Sequence, residues 1–558
     1  MNLGFRKKFA RVAVRIVAMP SSFLKYTVPS LVAVGLSAFA ISACGGGSDD
    51  SGATELAKFA PAETSAFIEG AVQPDSEVAA NVDSITEKLA GVNIGNLIKD
   101  GIASDGEVDF DADVKPWLGE NAGIFLNIDP ATLADSATDG GVSSLNSEPG
   151  EPATVSSDDS EPFGGLIVES TDTDAAQSFI DKQSETGGGS KDGEYEGFSY
   201  KVDAEDGMTV GIVDDFVVIG STEEQFKAAV DASKGDNLAD TDAFKDLSGH
   251  VADGALVSIY TANDPYLASL KEQGFDLGGL YSALGMDLEG SGTVASLVPE
   301  ENEISIKGYS SAGSDLTSGD PTALIETFPA DTIVATGSGD VGANATKILN
   351  ALNEEGIPGL IKPGQVDKFT QEASGQIDIK GIVESLETVA FFVNGTSQKN
   401  LGGALVATSS DIKPIENSLR GISSLIGLAG DASVQPLPGN VAGFRVFTDE
   451  LPGRPVVIGV KDDRMVIGVG MKASLNALTG QGKTLADSAA FKAADESTSE
   501  AGLDMIADPA NLARMIRNAG AGDPDAAQIA DVVRKFQYMA AGSSDSEGSF
   551  EFNMGLQE

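Results

Sequence analysis

The feature that most constrains this chain is that it repeats itself. Pro61-Ala62-Glu63-Thr64 returns as Pro329-Ala330-Asp331-Thr332, 268 residues on, and Phe125-Leu126-Asn127 returns as Phe392-Val393-Asn394 at an offset of 267. Gly164–Val168 is matched by Gly402–Val406 at offset 238, Gly197-Phe198 by Gly443-Phe444, and Asp214-Asp215 by Asp462-Asp463. Val218-Ile219-Gly220 is matched by Val466-Ile467-Gly468, Ala243-Phe244-Lys245 by Ala490-Phe491-Lys492, and Asp264-Pro265 by Asp508-Pro509. Each match is short, but short matches in one order with a slowly drifting offset mark a tandem repeat. Copy one is expected over 54–315 and copy two over 322–558. The fall from 267 to 238 leaves about 29 extra residues in copy one. They fall in 131–162, a stretch rich in Ser, Asp, Gly, Pro and Glu. Such a composition buries too little apolar surface to fold, so a disordered insertion is expected there.

Within a copy, Val78, Val82, Ile85 and Leu89 recur at spacings of 4, 3 and 4, which predicts a helix. The runs Met208–Val213 and Phe216–Gly220, parted by Asp214-Asp215, predict a hairpin, and Val456–Val460 with Met465–Val469 predict its counterpart. Ser221 with Glu224 three residues later reads as a capping box opening the next helix, and copy two lacks it. Asp264-Pro265 and Asp508-Pro509 read as an N-cap followed by a first-turn proline. Strands outnumber helices and several form adjacent pairs. The expected class is α+β: two tandem homologous domains, each a mainly antiparallel sheet with packed helices.

The first 43 residues carry six basic side chains and no acidic one, and end in an apolar run from Val28 to Ala43. A basic flank, a short apolar core and small residues before a cut are the marks of a secretory signal. At 16 residues the run falls short of the roughly 20 needed to span a bilayer. It closes on Ile41-Ser42-Ala43-Cys44, which resembles the bacterial lipobox, with cleavage between Ala43 and Cys44 and lipid on the Cys44 sulfur. Residues 44–53 then read as a flexible tether. An ordinary cleaved signal is the rival reading, but Cys44 is the only cysteine in 558 residues and stands where the lipobox needs one.

Beyond residue 43 the chain holds 85 acidic side chains against 30 basic ones. Nucleic acid is excluded as a partner, because phosphate binding depends on Lys and Arg. A resting place flat on anionic lipid is disfavoured for the same reason. Hydrophobic residues make up 41%, enough for packed cores, and a single cysteine leaves no disulfide to staple them.

Several segments resemble the bacterial domain-of-unknown-function family 3352. They are the Phe59–Thr64 opening, Asp113-Val114-Lys115-Pro116-Trp117-Leu118-Gly119, the strand Gly123–Ile128 and the hairpin-to-helix Phe216–Val230. The resemblance implies an envelope-associated protein and assigns it no activity.

Residues with chemical potential are few. His250 is the only histidine, so Ser-His and Cys-His nucleophile pairs and zinc sites lose their usual parts. Gly482-Lys483-Thr484 imitates the end of a phosphate loop, but Ala477 stands where its first glycine belongs. Asp109, Asp111, Asp113 and Glu120 have calcium-loop spacing, yet Val114 replaces the turn glycine and Pro116 follows. Trp117, the single tryptophan, reads as a core anchor.

The expectation is a membrane-anchored extracytoplasmic lipoprotein, non-catalytic, with no cofactor, no catalytic residue and no metal ligand. Its partners would be the membrane, through the N-terminal lipid, and either another envelope protein or an apolar small molecule, and a small ligand could lie between the copies. One alternative is a carrier of an apolar ligand such as lipid. Another is a carboxylate-dependent hydrolase. Solute capture for an importer is a weaker idea, since hairpins replace the parallel sheets such proteins use.

Overall fold

The computed structural model describes residues 52–73, 76–90, 110–126 and 164–557, with breaks at 187–188, 205–206, 273–275, 358–359, 374–376, 398–399, 429–432, 440, 449–450, 452, 499–501, 523 and 545–547. Ala43, Cys44 and the expected insertion 131–162 lie outside the described residues. So does the expected tether, except its last two positions, which open the helix Gly52–Ala57.

The described residues fall into two compact units. The first takes those of Leu24–Gly274 and Asp287–Ala312; the second takes those of Phe275–Met286 and Gly313–Glu558. The short helix Gly278–Ala283 thus belongs to the second unit, where it packs on the helix Val341–Glu354.

The fold is mixed helix and antiparallel sheet. In the first unit the strands are β1 (Ala66–Ala71), β2 (Leu118–Leu126), β3 (Gly165–Ser170), β4 (Ser190–Tyr195), β5 (Phe198–Asp203), β6 (Thr209–Val213), β7 (Phe216–Gly220), β8 (Val257–Ala262), β9 (Gly292–Pro299) and β10 (Glu303–Ser310). They pair antiparallel in the order β4-β5-β6-β7-β3-β2-β1-β8-β9-β10. The second unit supplies β11 (Thr332–Ser338), β12 (Leu386–Asn394), β13 (Gly402–Ser409), β14 (Ser433–Pro436), β15 (Ala442–Phe447), β16 (Val456–Lys461), β17 (Arg464–Val469), β18 (Met505–Ala507), β19 (Phe536–Ser544) and β20 (Ser549–Leu556). Within it the order is β14-β15-β16-β17-β13-β12-β11-β18-β19-β20, position for position the order of the first.

Alternation along each strand gives every sheet an inner and an outer face. The inner face of the first carries Phe67, Phe125, Ile167, Val218 and Tyr260, packed under Phe226 and Val230 of the helix Glu223–Lys234 and Phe244 and Leu247 of Asp242–Ser248. In the second, Ala335, Phe392, Val406 and Val466 lie under Ala477 and Leu478 of Met471–Thr479 and Phe491 of Ala489–Ser497. The outer faces are partly covered, by the helix Thr173–Thr186 in the first unit and Lys413–Leu428 in the second.

The register corrects one sequence match. Leu166 lies opposite Ile219, and Leu405 opposite Ile467, so β3 maps onto β13 one residue later than Gly164–Val168 on Gly402–Val406 implies. A slip of one would turn each inward side chain outward, and the fully buried pair Ile167 and Val406 forbids it. A cap moves too. Ser221 donates its hydroxyl to the Gly164 carbonyl, and Thr222 caps the helix by accepting from the Gln225 amide. Asp508 does cap Pro509–Ala519, accepting from the Asn511 amide at 3.0 Å. Asp264 instead begins its own helix and accepts from the Gly290 amide.

Asp508 also holds the side chain of Asn511, which is buried and donates to the Thr332 carbonyl of β11. Asp508→Ala should therefore cost about 1–2 kcal/mol, the upper range for a lost cap. A lowered urea midpoint at unchanged m is the expected reading.

Candidate functional site

Three places in the fold carry more than packing. The first is Glu69. It follows Phe67 by two residues on β1 and so shares the inner face, where it is 9% exposed. Its register partners are Gly123 on β2 and Ser258 on β8, neither of which brings a charge. Gly123 has no room for a side chain, because a Cβ there would come within 2.9 Å of the Phe67 ring. Glu69 Oε2 is buried without a hydrogen-bond partner. Burial pushes this carboxyl up to about 8. Two strands away, Glu169 of β3 is held otherwise: its Oε2 accepts the backbone amides of Glu120 and Asn121 at 3.0 and 3.2 Å, pinning the β-bulge of β2.

The second is an open cleft of about 550 Å³ in the second unit, lined by Asp320, Asp340, Glu384 and Glu387 with Gly319 and Gly339. No basic side chain lines it. Three of its four acids have partners: Asp340 accepts from the Thr317 hydroxyl, Asp320 from the Thr322 amide, and Glu384 pairs with Lys380 at 3.7 Å.

The third is the outer face of the sheets. In the second unit one cross-strand row runs Phe552, Ala541, Met505, Thr336, Phe391, Leu405, Ile467, Ile458, Phe444. The next row runs Met539, Ala507, Val334, Val393, Gly403, Val469, Val456, Val446. Neither row contains a charge, but Phe444, Ile458, Val456 and Val446 are packed in the cluster of the helix Lys413–Leu428, and Met539 is buried. Phe391 is 40% exposed and Leu405, directly opposite, 36%. The first unit has a matching row, Ala295, Ile259, Ile68, Ile124, Leu166, Ile219, Val210, in which Ile259 is 37% exposed while Leu166, Ile219 and Val210 pack in the cluster of the helix Thr173–Thr186.

Residues 26–502 match the model of the DUF3352 family, described as a protein of unknown function. The chain belongs to the DUF3352 family. No curated protein matches it. Among solved structures, crystal form IV of TP0453 is 12% identical over 46% of this chain and 80% of its own, with a TM-score of 0.23. Crystal form I of TP0453 is 10% identical over 76% of this chain and 96% of its own, at 0.20. TM-scores of this size establish no common fold.

The residues singled out by sequence take structural places in this DUF3352 chain. His250 is stacked on Tyr309, with ring centroids 3.5 Å apart. Trp117 is buried against Phe179 and donates its indole N–H to the Asp113 carbonyl. Asp113 pairs with Lys182 at 2.7 Å, while Asp109 lies outside the described residues. Lys483 and Thr484 close the fold locally: the Lys483 carbonyl accepts from Ala330, and Thr484 caps the single turn Leu485–Asp487. That turn answers Leu238–Asp240, whose Leu238 amide bonds the Ala60 carbonyl as Leu485 bonds Phe328. Sequence reading missed this Leu-Ala-Asp pair and missed Glu69, although an acid two residues from a phenylalanine in a short strand was there to be seen. Among the described residues, no group of three or more His, Cys, Asp or Glu is placed to hold a metal ion. No described helix is long and apolar enough to cross a membrane.

Proposed function

We propose that this chain is a lipid-anchored, extracytoplasmic binding protein without catalytic activity, built from two homologous α+β bodies that arose by duplication. Its ligand is rich in hydrocarbon and lies on the part of the outer face left uncovered around Phe391 and Leu405. The observation that carries the binding role is the pair of charge-free rows around Phe391 and Leu405, in a chain with 85 acidic residues. The strands there are central, with both edges hydrogen-bonded, so the face offers side-chain surface and no free backbone. An exposed apolar patch of this kind marks an interaction site. The shared strand order, read with the ordered sequence matches, supports duplication. The lipobox-like Ile41-Ser42-Ala43-Cys44 after a basic flank and an apolar run supports the address.

A carboxylate hydrolase needs two acids flanking a substrate cleft, one of them raised in pKa. Here the raised acid, Glu69, is buried in the sheet and does not line the acidic cleft. That separation favours binding over hydrolysis.

The test uses a fluorescent long-chain fatty acid as probe. Phe391→Asp with Leu405→Asp should weaken its uptake at least tenfold, since two charges would have to be buried or the probe excluded. Equal uptake by wild type and double variant would remove this face from consideration.

A further inference from the structure

We infer that Glu69 is a proton-operated catch on the first unit: protonated, it lets β1 stay seated between β2 and β8, and loss of the proton releases β1 from them. The inference is independent of what the outer face binds, because Glu69 lies on the inner face.

The geometry leaves an ionised Glu69 without support. One carboxyl oxygen is buried and has no partner. Beside it in register stand only Gly123 and Ser258, and the next positions out are Ile167 on β3 and Ser296 on β9. The Ser296 hydroxyl accepts from the Ala252 amide at 3.0 Å and makes no hydrogen bond to the buried Glu69 oxygen. Four charged groups of the surrounding elements are engaged elsewhere. Glu169 on β3 holds the bulge amides of β2. Lys307 on β10, in the same row beyond Ser296, pairs with Glu300. Glu55 on the helix Gly52–Ala57 pairs with Lys58. Lys245 on Asp242–Ser248 turns to Asp240. Tyr260, the neighbour of Ser258 on the same face, is pushed up to about 12 by burial and by Asp264, and stays neutral. A neutral carboxyl fits this setting, whereas an unpaired buried carboxylate does not.

The second unit is an internal comparison. The residue matching Glu69 is Gly337, whose amide bonds the carbonyl of Asp504 on the adjoining segment. Asp504 supplies the acid at this point of the sheet, and its carboxylate accepts from the Ser543 hydroxyl. One acid is served by a hydroxyl; the other is not.

Burial raises the Glu69 carboxyl from 4.5 to about 8 in the seated strand. The seated state therefore holds the proton more tightly than the released one. Between those two values the released fraction should climb about tenfold per pH unit, and it should level off outside them.

The experiment is amide exchange of the full chain followed by mass spectrometry from pH 5 to 9, after removing the intrinsic pH dependence of exchange. Peptides covering β1 should show the rise, peptides covering β11 should not, and Glu69→Gln should flatten β1. A variant that keeps the wild-type slope, or a wild type with no slope, overturns the inference. Infrared titration of the unmodified chain checks it without a variant: a protonated carboxyl band should persist at pH 7 and vanish through about pH 8. Its absence at pH 6 to 7 would equally overturn the catch.

Discussion

Truncating Phe392 to alanine is expected to lower the stability of the second unit by about 3–5 kcal/mol, while Phe391→Ala beside it costs under about 1. Phe392 is fully buried, with its ring 4.7 Å from that of Phe328. Its cross-strand neighbours are Ala335 and Ala404, too short to swing into the space the ring would leave. The cavity therefore stays open, and cavity cost adds to lost transfer energy. Phe125 is the equivalent residue in the first unit, and Gly164 and Gly165 lie directly beneath its ring. A Cβ at Gly165 would come within 2.7 Å of that ring, so nothing adjacent can fill the hole in Phe125→Ala either. Losses of this size are a large share of the roughly 5–15 kcal/mol that holds an ordinary domain together. Denaturant titration with amide exchange resolved by unit measures each. Near-equal costs for Phe391→Ala and Phe392→Ala would mean that the strand faces are wrongly assigned.

Cys44→Ser should move the chain from the membrane pellet to the soluble fraction almost completely. Each methylene of an attached acyl chain contributes about 0.8 kcal/mol of membrane affinity, and two chains are enough for a stable hold. Serine presents an oxygen where the glyceride needs a sulfur, so that contribution is lost as a whole. The chain beyond residue 43 does not replace it, because its 85 acidic side chains outnumber its 30 basic ones and are repelled by anionic lipid. Fractionation without detergent, with and without high salt, reads the outcome. A serine variant that still sediments after a high-salt wash would rule out the lipid anchor.

Much of the local structure was legible in the sequence, for local reasons. The hairpin of β6 and β7 was visible because apolar runs flank Asp214-Asp215, and Asp214 does take the left-handed turn at φ 53°, as Asp462 does at φ 55°. Asp508 before Pro509 announced its helix, because a cap is set by residues three apart. Trp117 between Pro116 and Gly119 reads as an anchor and is one. The misreadings were local too, but were decided by distant partners. Ser221 has the spacing of a capping box, yet the carbonyl of Gly164, far back in the chain, takes its hydroxyl. The matched glycines before β3 and β13 suggested an alignment that the sheet register shifts by one residue.

The sequence alone determined the periodicities: which residues alternate, which recur every three or four, and which segments return in order. Those depend on neighbours along the chain, where backbone geometry fixes the spacing. Only the tertiary structure decided that β1 lies between β2 and β8, that β3 lies between β2 and β7, and that an acid two places from Phe67 has glycine on one side and serine on the other. Burial, partnership and protonation of Glu69 are properties of three strands at once, and none of the three carries them by itself.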